Sequence, residues 1–525
     1  MKLFNLTKTY TGDIPPRSTV AVYCGAGGFR DACYQLVSAF LLVYISFAGV
    51  LSKVEGEYIA QIVAITTIMM VCRIWDAIND PIMGWIIEKV HFKWGKYKPW
   101  ILLGAILNTV VVLCLFLLRP NGWAFVATFA VFYFLWDTVY TINDIAYWSM
   151  LPSLTRDEKR KNKITSIMQI CISAGVFIMF GIGNILPTMF GDAKNAWTVI
   201  SIVITTLFLI SQIVLVFVCK EHKRDPKQEE KERQNVSFKD IIRVLKANKP
   251  MRVNMIGIFL QYLGAGMLVA FGTYYGYLVY GYGSTPWLGG FIVLLITVMY
   301  GIGTIVSQSI YTALAKRFNR KTILHMAIIS AFIGYVIFLF TGFPILFDKT
   351  PAATGGLGIG LVFLFIGALL LFFGQGLISV VMLIQMQSTI EYNEYKFGER
   401  KEAVASSLRA FTAKISSSIQ TGVVTGILTG SGLYGITQKI SNLENWRHSW
   451  GGITDEEMAR RVAEIIGTID RSQLIILSVG MVIIPLLCII GCYIIFAWVF
   501  NIDEKKYAEI CDGLEKKHTT VTKNK

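Results

Sequence analysis

The chain has 525 residues, of which 54% are hydrophobic and only 16% are charged, and its formal net charge is +15. This composition is too apolar for a soluble globular protein, and the apolar residues form runs of about 20 or more, long enough to cross a bilayer. The positive charge is divided among separate loops and forms no contiguous basic groove with interleaved aromatic residues, which excludes a nucleic-acid-binding protein.

Hydropathy predicts an all-α membrane protein of about twelve transmembrane helices, divided six and six by a polar stretch over residues 220–249. This plan is typical of two-bundle secondary transporters, whose substrate sites lie between the bundles near the bilayer midplane. The predicted spans cover residues 19–51, 57–88, 99–118, 122–152, 164–190, 196–219, 252–280, 285–316, 322–347, 355–390, 403–431 and 473–500.

Lys and Arg concentrate in alternate loops, which is the positive-inside pattern. It predicts a multi-pass protein of the cell (plasma) membrane with both termini in the cytoplasm. We predict an N-terminal bundle over residues 1–220, a central loop with an amphipathic helix over 221–251, a C-terminal bundle over 252–502 and a tail over 503–525.

Two capped helices are predicted outside the spans. Ser237 precedes an apolar helical face in the central loop, and Thr454 begins a capping box that ends at Glu457. We expect both helices to be structural.

The second predicted span contains an unusual pair of acids. Asp76 and Asp80 lie four residues apart, so both carboxylates project from one helical face, with Asn79 beside them. A charge at the centre of a membrane helix costs roughly 2.5–3.5 kcal/mol, which makes these residues functional candidates. Two neighbouring carboxylates repel unless a cation lies between them or one is protonated, which indicates a monovalent cation site. Arg73 leaves a structural Arg–Asp network as the alternative.

The fourth predicted span presents one polar and aromatic stripe. Asp137, Thr141, Asp144 and Trp148 recur at i, i+4, i+7 and i+11, on one helical face. A carboxylate beside an indole suits a sugar, because the acid accepts hydroxyl hydrogen bonds while the ring packs on the apolar sugar face. An interfacial anchor is the alternative interpretation of Trp148.

Two further spans contain isolated charges. The first span contributes Arg30 and Asp31, and the eleventh contributes Lys414 in a helix rich in small and hydroxyl residues. A lysine in such a helix requires an anionic partner, so we expect Lys414 to reach acids of the other bundle.

Four stretches carry a family resemblance, namely residues 73–84, 93–100, 140–152 and 391–402. In this order they resemble the signatures of the glycoside–pentoside–hexuronide:cation symporters of the major facilitator superfamily, which include the melibiose permease. The resemblance implies the major facilitator fold and symport of a sugar or glycoside with sodium, lithium or a proton by alternating access. It implies no enzyme activity, no cofactor or metal beyond the coupling cation, and a membrane-lipid environment.

The resemblance also implies roles for individual positions. It places the cation site on Asp76, Asn79, Asp80 and Thr141, the substrate site on Arg30, Asp31, Tyr140, Asp144 and Trp148, and a lysine that couples the two bundles on Lys414. We expect Arg73 and Asp137 to take part in the inter-bundle coupling as well.

The chain departs from the melibiose permease at several positions. By ungapped counting, Met168 replaces a sugar-binding arginine, with Gln169 beside it, and Asp137 replaces a glycine. We expect these changes to alter the sugar and the cation preference. Only a short charged tail follows Phe500, so we expect no attached regulatory domain.

Three alternatives stay open. A cation-coupled carrier of lysolipids or other amphiphiles belongs to the same superfamily, and it needs an apolar cleft for an acyl chain. A multi-span enzyme would place catalytic residues in an extramembrane segment, and a sensor would have a signalling domain. The polar set of Asp31, Asp144 and Trp148 favours a sugar.

Overall fold

The protein is described by a computed structural model, and its described residues are almost entirely α-helical. They are residues 9–10, 15–90, 92, 95–154, 158–189, 193–219, 221–222, 238–280, 288–341, 359–398, 402–447, 453–502, 505–510 and 512–514. A two-residue parallel pair joins strand β1 (Thr9–Tyr10) to strand β2 (Glu221–His222).

The helices follow the predicted spans closely, with additional short helices between them. In chain order they are α1 (Arg17–Ser38), α2 (Leu41–Phe47), α3 (Glu55–Lys89), α4 (Lys98–Leu117), α5 (Trp123–Leu154), α6 (Glu158–Met189), α7 (Ala193–Val218), α8 (Phe238–Ala247), α9 (Lys249–Tyr280), α10 (Leu288–Ala315), α11 (Arg320–Thr341), α12 (Ile359–Phe397), α13 (Glu402–Gly430), α14 (Leu433–Arg447), α15 (Asp455–Gly467) and α16 (Arg471–Ile494). A π-helical turn, Ile495–Val499, continues α16.

The all-α membrane fold is confirmed. Among the described residues, ten helices are long and apolar enough to cross a membrane. The first and eleventh predicted spans are not among these ten, and they correspond to α1 with α2 and to α13. These segments contain Arg30, Asp31 and Lys414, which lower their apolar content. The first predicted span is also broken, because the chain turns at residues 39–40 between α1 and α2.

The chain divides into two compact units. The first unit comprises residues 1–230, 276–294 and 425–473. Within it, α1 packs on α6 and α7, while α5 packs on α3 and α4. An apolar core that includes Tyr23, Tyr147 and Met168 joins these helices. These packed helices carry most of the predicted site residues.

The second unit comprises residues 231–275, 295–424 and 474–525. Its helices α11 and α12 pack closely, because Gly374 of α12 faces the backbone of Ala331, where a β-carbon would lie 2.6 Å from the Ala331 nitrogen. Small residues at such positions allow membrane helices to approach at backbone distance. Helix α8 begins directly after Ser237, which itself lies outside the described residues.

The predicted capping box is half formed. The Thr454 hydroxyl accepts a 3.3 Å hydrogen bond from the Glu457 backbone N–H and so caps α15. The Glu457 carboxylate instead binds the guanidinium groups of Arg460 and Arg461, at 2.8 and 2.5 Å. A full capping box would return that carboxylate to the N-cap backbone, but two nearby cations hold it further along the helix.

Candidate functional site

The orientation of α5 is fixed by its contact with α4. The Asn143 side chain donates a 2.9 Å hydrogen bond to the Ile101 carbonyl. A β-carbon on Gly104 would lie 2.6 Å from the Asn143 backbone nitrogen, so only glycine permits this approach. The contact fixes the rotation of α5 about its axis at Asn143. This position lies between Thr141 and Asp144, two residues of the predicted sites.

A tyrosine pair fixes α1 against α5. The Tyr23 hydroxyl donates to the Tyr147 carbonyl at 2.8 Å, and the Tyr147 hydroxyl donates to the Tyr23 carbonyl at 2.7 Å. Their rings stack with centroids 4.5 Å apart. The two helices therefore present their polar residues in one fixed register.

The predicted substrate residues of these two helices meet around Arg30. This side chain is 1% exposed, and it pairs with Asp31 at 2.7 Å and with Asp144 at 3.1 Å. Its guanidinium lies 4.3 Å from the centroid of the Tyr147 ring and 5.2 Å from that of Trp148.

Exposure differs sharply within this set. Asp31 and Asp144 are 19% and 35% exposed, and Trp148 is 36% exposed. The buried cation therefore holds two accessible carboxylates beside an accessible indole. Such a surface can accept hydroxyl hydrogen bonds and pack against an apolar ring face.

The predicted cation residues form a second group one to two turns away. The Thr141 hydroxyl donates a hydrogen bond of 3.0 Å to Asp76 Oδ1 and one of 2.9 Å to the Asp137 carbonyl oxygen. The Arg73 guanidinium nitrogen Nη1 lies 4.0 Å from Asp76 Oδ2 and 3.9 Å from Asp137 Oδ1. Carboxylate and hydroxyl oxygens are the ligands that hard cations prefer.

Two more predicted cation residues lie on the same face of α3. Asn79 is buried, and its Nδ2 atom has no hydrogen-bond partner among the described residues. Asp80 is half-buried, one turn beyond Asp76. The Arg–Asp network considered as the alternative is present in the pairs of Arg73 with Asp76 and Asp137.

Tyr34 joins the two groups, and the sequence analysis missed it. Its hydroxyl accepts a 3.2 Å hydrogen bond from Arg73, and its ring lies 4.9 Å from that of Tyr140. Its spacing was a usable signal, because it follows Arg30 by four residues and Asp31 by three on one helical face. Tyr140 thereby lies between the sugar-type and cation-type groups.

Two further predicted positions are Met168 and Lys414. Met168 is fully buried in the apolar core of the first unit, where it packs with Tyr23 and Tyr147. Lys414 is half-buried on α13. Residue 414 belongs to the second unit, whereas Arg73 and Asp137, also predicted to serve coupling, are paired within the first.

The helical architecture and the buried charges define a multi-pass membrane transporter with the major facilitator fold. The fold matches a solved bacterial homologue of the human lysosomal transporter Spinster, in its inward-facing and unoccupied conformation, with a TM-score of 0.55. The sequences are 12% identical, and the match covers 95% of this chain and 96% of that one.

A family described as MFS/sugar transport protein matches residues 28–504. The chain belongs to this family, which confirms the family prediction made from its motifs.

Curated relatives are similar over much of the chain. The lactose permease of Leuconostoc lactis is 26% identical over 505 residues, which cover 92% of this chain and 70% of that permease. The raffinose carrier protein of Pediococcus pentosaceus is 25% identical, over 78% of this chain and 62% of that carrier. The chain thus spans less than two thirds of the raffinose carrier's length.

Proposed function

We propose that the protein is a secondary active transporter that moves a sugar or glycoside together with a cation by alternating access. The observation that supports this most directly is the arrangement around Tyr34. A group suited to hydroxylated ligands and a group suited to a cation lie on the same three helices, α1, α3 and α5, and share this tyrosine. Ligands at such neighbouring groups can influence each other.

The substrate site consists of Arg30, Asp31, Tyr140, Asp144 and Trp148. Fixing the two carboxylates with a buried guanidinium avoids the loss of side-chain entropy on sugar binding. The relatives named for lactose and raffinose support an oligosaccharide as the substrate class. They do not favour the lysolipid alternative.

The cation site consists of Asp76, Asn79, Asp80 and Thr141, with sodium, lithium or a proton as the coupling ion. A cation between Asp76 and Asp80 removes their mutual repulsion and orders the neighbouring α5 through Thr141. Reciprocal linkage then requires the sugar to tighten cation binding by the same factor, usually about 1–3 kcal/mol.

The remaining features complete the proposal. The protein lies in the cell membrane among lipids, with both termini in the cytoplasm, and it is neither an enzyme nor the carrier of a cofactor. We further propose an N-terminal bundle over residues 1–220, a central loop over 221–251, a C-terminal bundle over 252–502 and a tail over 503–525. Lys414 serves the coupling between the bundles.

The test is uptake by the purified protein in liposomes. Lactose, raffinose and melibiose are offered while sodium, lithium and proton gradients are imposed one at a time, and lysophosphatidylcholine binding is measured in parallel. We expect uphill accumulation of at least one sugar with at least one cation, and no lysolipid binding. Uptake whose rate and extent are unchanged by every imposed cation gradient contradicts the proposal.

The Asp80→Cys variant separates the two sites. We expect it to lose cation-driven accumulation while retaining some sugar binding, because Asp80 lies on the cation side. Full uphill accumulation by this variant would refute the cation assignment and leave the sugar assignment standing.

A further inference from the structure

Arg73 is shared between two carboxylates of the first unit. Its Nη1 atom lies 4.0 Å from Asp76 Oδ2 and 3.9 Å from Asp137 Oδ1, so both acids attract it from beyond hydrogen-bond distance. The same nitrogen donates a 3.2 Å hydrogen bond to the Tyr34 hydroxyl. Tyr34 therefore holds the guanidinium near both acids, at a distance at which it makes a direct hydrogen bond to neither of them.

The shared position creates a conflict at the cation site. A cation bound at Asp76 lies near the Arg73 guanidinium, whose Nη1 atom is 4.0 Å from Asp76 Oδ2, and neighbouring like charges oppose each other inside a protein. The guanidinium therefore needs another anion when the cation arrives. Asp137 is 2% exposed, and its Oδ1 atom lies 3.9 Å from the same Arg73 nitrogen.

We infer that Asp137 is a positioning residue that forms the ion pair with Arg73 when the coupling cation occupies Asp76. The inference rests on the proposed function, since it assigns Asp137 a role at the proposed cation site. A shift of about 1 Å brings Nη1 to the distance of a charge-assisted hydrogen bond with Asp137. The shift leaves the helices in place, because Thr141 joins Asp76 to the Asp137 backbone carbonyl.

Asp137 could instead act on the cation directly, as a ligand or as a distant negative charge. A ligand or a bare charge acts on the cation whether or not Arg73 is present. A positioning residue acts through Arg73, so its effect disappears when Arg73 is neutral. A double-mutant cycle separates the two roles.

The experiment measures the affinity for sodium and lithium by thermal stabilisation of the full-length protein in detergent. Each chloride is titrated against choline chloride at constant ionic strength and at two pH values. The variants are Asp137→Asn, Arg73→Gln and the double variant. Sugar affinity at saturating cation is followed by tryptophan fluorescence with lactose and raffinose.

We expect Asp137→Asn to weaken cation binding about tenfold, equivalent to about 1.4 kcal/mol, while sugar affinity at saturating cation changes little. In the Arg73→Gln background, the same substitution should change cation affinity by about twofold or less. An equal change in both backgrounds overturns the inference. So does an unchanged cation affinity in Asp137→Asn alone.

Two controls separate a specific effect on cation affinity from misfolding of the variants. Asp137→Glu retains the negative charge and should retain most of the cation affinity, which shows that a weak Asp137→Asn protein is not simply misfolded. If no Asp137 variant folds, Arg73→Gln still tests the conflict, since removing the opposing charge should strengthen cation binding. Weaker binding in Arg73→Gln overturns the inference. A wild-type protein that responds to no cation refutes the proposed function itself and this inference with it.

Discussion

The Lys194 ammonium group donates a 2.6 Å hydrogen bond to the Asn445 side-chain oxygen and so joins the start of α7 to the short helix α14. Two more contacts of the first unit hold α14 against the beginning of α3. The Tyr58 hydroxyl lies 3.1 Å from the Thr437 hydroxyl, and Gln438 donates to the Lys53 carbonyl at 2.8 Å. Helix α14 therefore lies on the face of this unit that we expect to be extracellular.

Gly49 makes this docking possible. Its φ of +66° lies in the left-handed region, and an added β-carbon would be 2.7 Å from both Asn445 Cγ and the Ser441 carbonyl oxygen. We expect Gly49→Ala to weaken the docking, because alanine costs about 1–2 kcal/mol at such a φ and also collides with α14. A single cysteine placed at Thr437 should then react faster with a membrane-impermeant maleimide.

Gly56→Ala is the matched control for this substitution. Gly56 also lies near the start of α3, but a β-carbon there meets nothing within 4 Å. The labelling rate should therefore stay at the wild-type level in Gly56→Ala. Equal labelling of the two variants would show that Gly49 does not control the docking of α14.

The tyrosine pair beneath Arg30 allows a test of how rigid the substrate group must be. Tyr147→Phe retains the ring under the guanidinium and removes the 2.7 Å hydrogen bond to the Tyr23 carbonyl. We expect a loss of about 0.5–1.5 kcal/mol in the free energy of unfolding, because one hydrogen bond between α1 and α5 is removed. Thermal unfolding in detergent measures this loss. An unchanged melting temperature would mean that the pair does not stabilise the contact between α1 and α5.

Asp144 allows a test of the substrate group itself. In Asp144→Asn, we expect sugar affinity to fall about 10- to 150-fold, since a hydrogen bond to a charged group contributes about 1.5–3 kcal/mol. Equilibrium binding of the transported sugar measures the change. Asp470→Asn, at the polar turn before α16, makes the same chemical change far along the chain and should bind as the wild type does. Equal affinity of both variants would exclude Asp144 from the site.

The pH dependence of α15 follows from its ion pairs. Hydrogen bonds from Arg460 and Arg461 lower the pKa of Glu457 to about 2. A lowered folded-state pKa stabilises the helix above the unfolded value of about 4.3, and this contribution is lost as the pH falls towards 2. Hydrogen exchange of the α15 amides should show wild-type protection exceeding that of Glu457→Gln near neutral pH, with the difference shrinking below about pH 4.

Glu456→Gln is the control for the pH experiment. Glu456 lies on the same turn, and within the described part of the chain it makes no ion pair. Its substitution should leave the pH profile of protection unchanged. A constant difference between wild type and Glu457→Gln at every pH would contradict the assigned ion pairs.

Patterns in the amino-acid sequence are enough to predict the membrane fold and the residues of the candidate site. Long apolar runs have one stable solution in a bilayer, because backbone groups in lipid must be satisfied within helices. Acids such as Asp76 and Asp144 stand out for the same reason, since charges are rarely kept in membrane helices without a function. Helical spacing was then enough to place each acid on a face of its own helix.

Which of these helical faces meet depends on how the helices pack. Arg30 pairs with Asp144 and Arg73 pairs with Asp137, each across two helices, and helical periodicity within one segment cannot predict such pairs. Tyr34 shares a helical face with Arg30 and Asp31, but only the hydrogen bond from Arg73 of another helix shows that it belongs to the site. Helix α14 was missed because its position depends on docking against distant segments rather than on hydrophobicity. Contacts between helices depend on packing, and packing is set by close approaches such as that of Gly104 to Asn143.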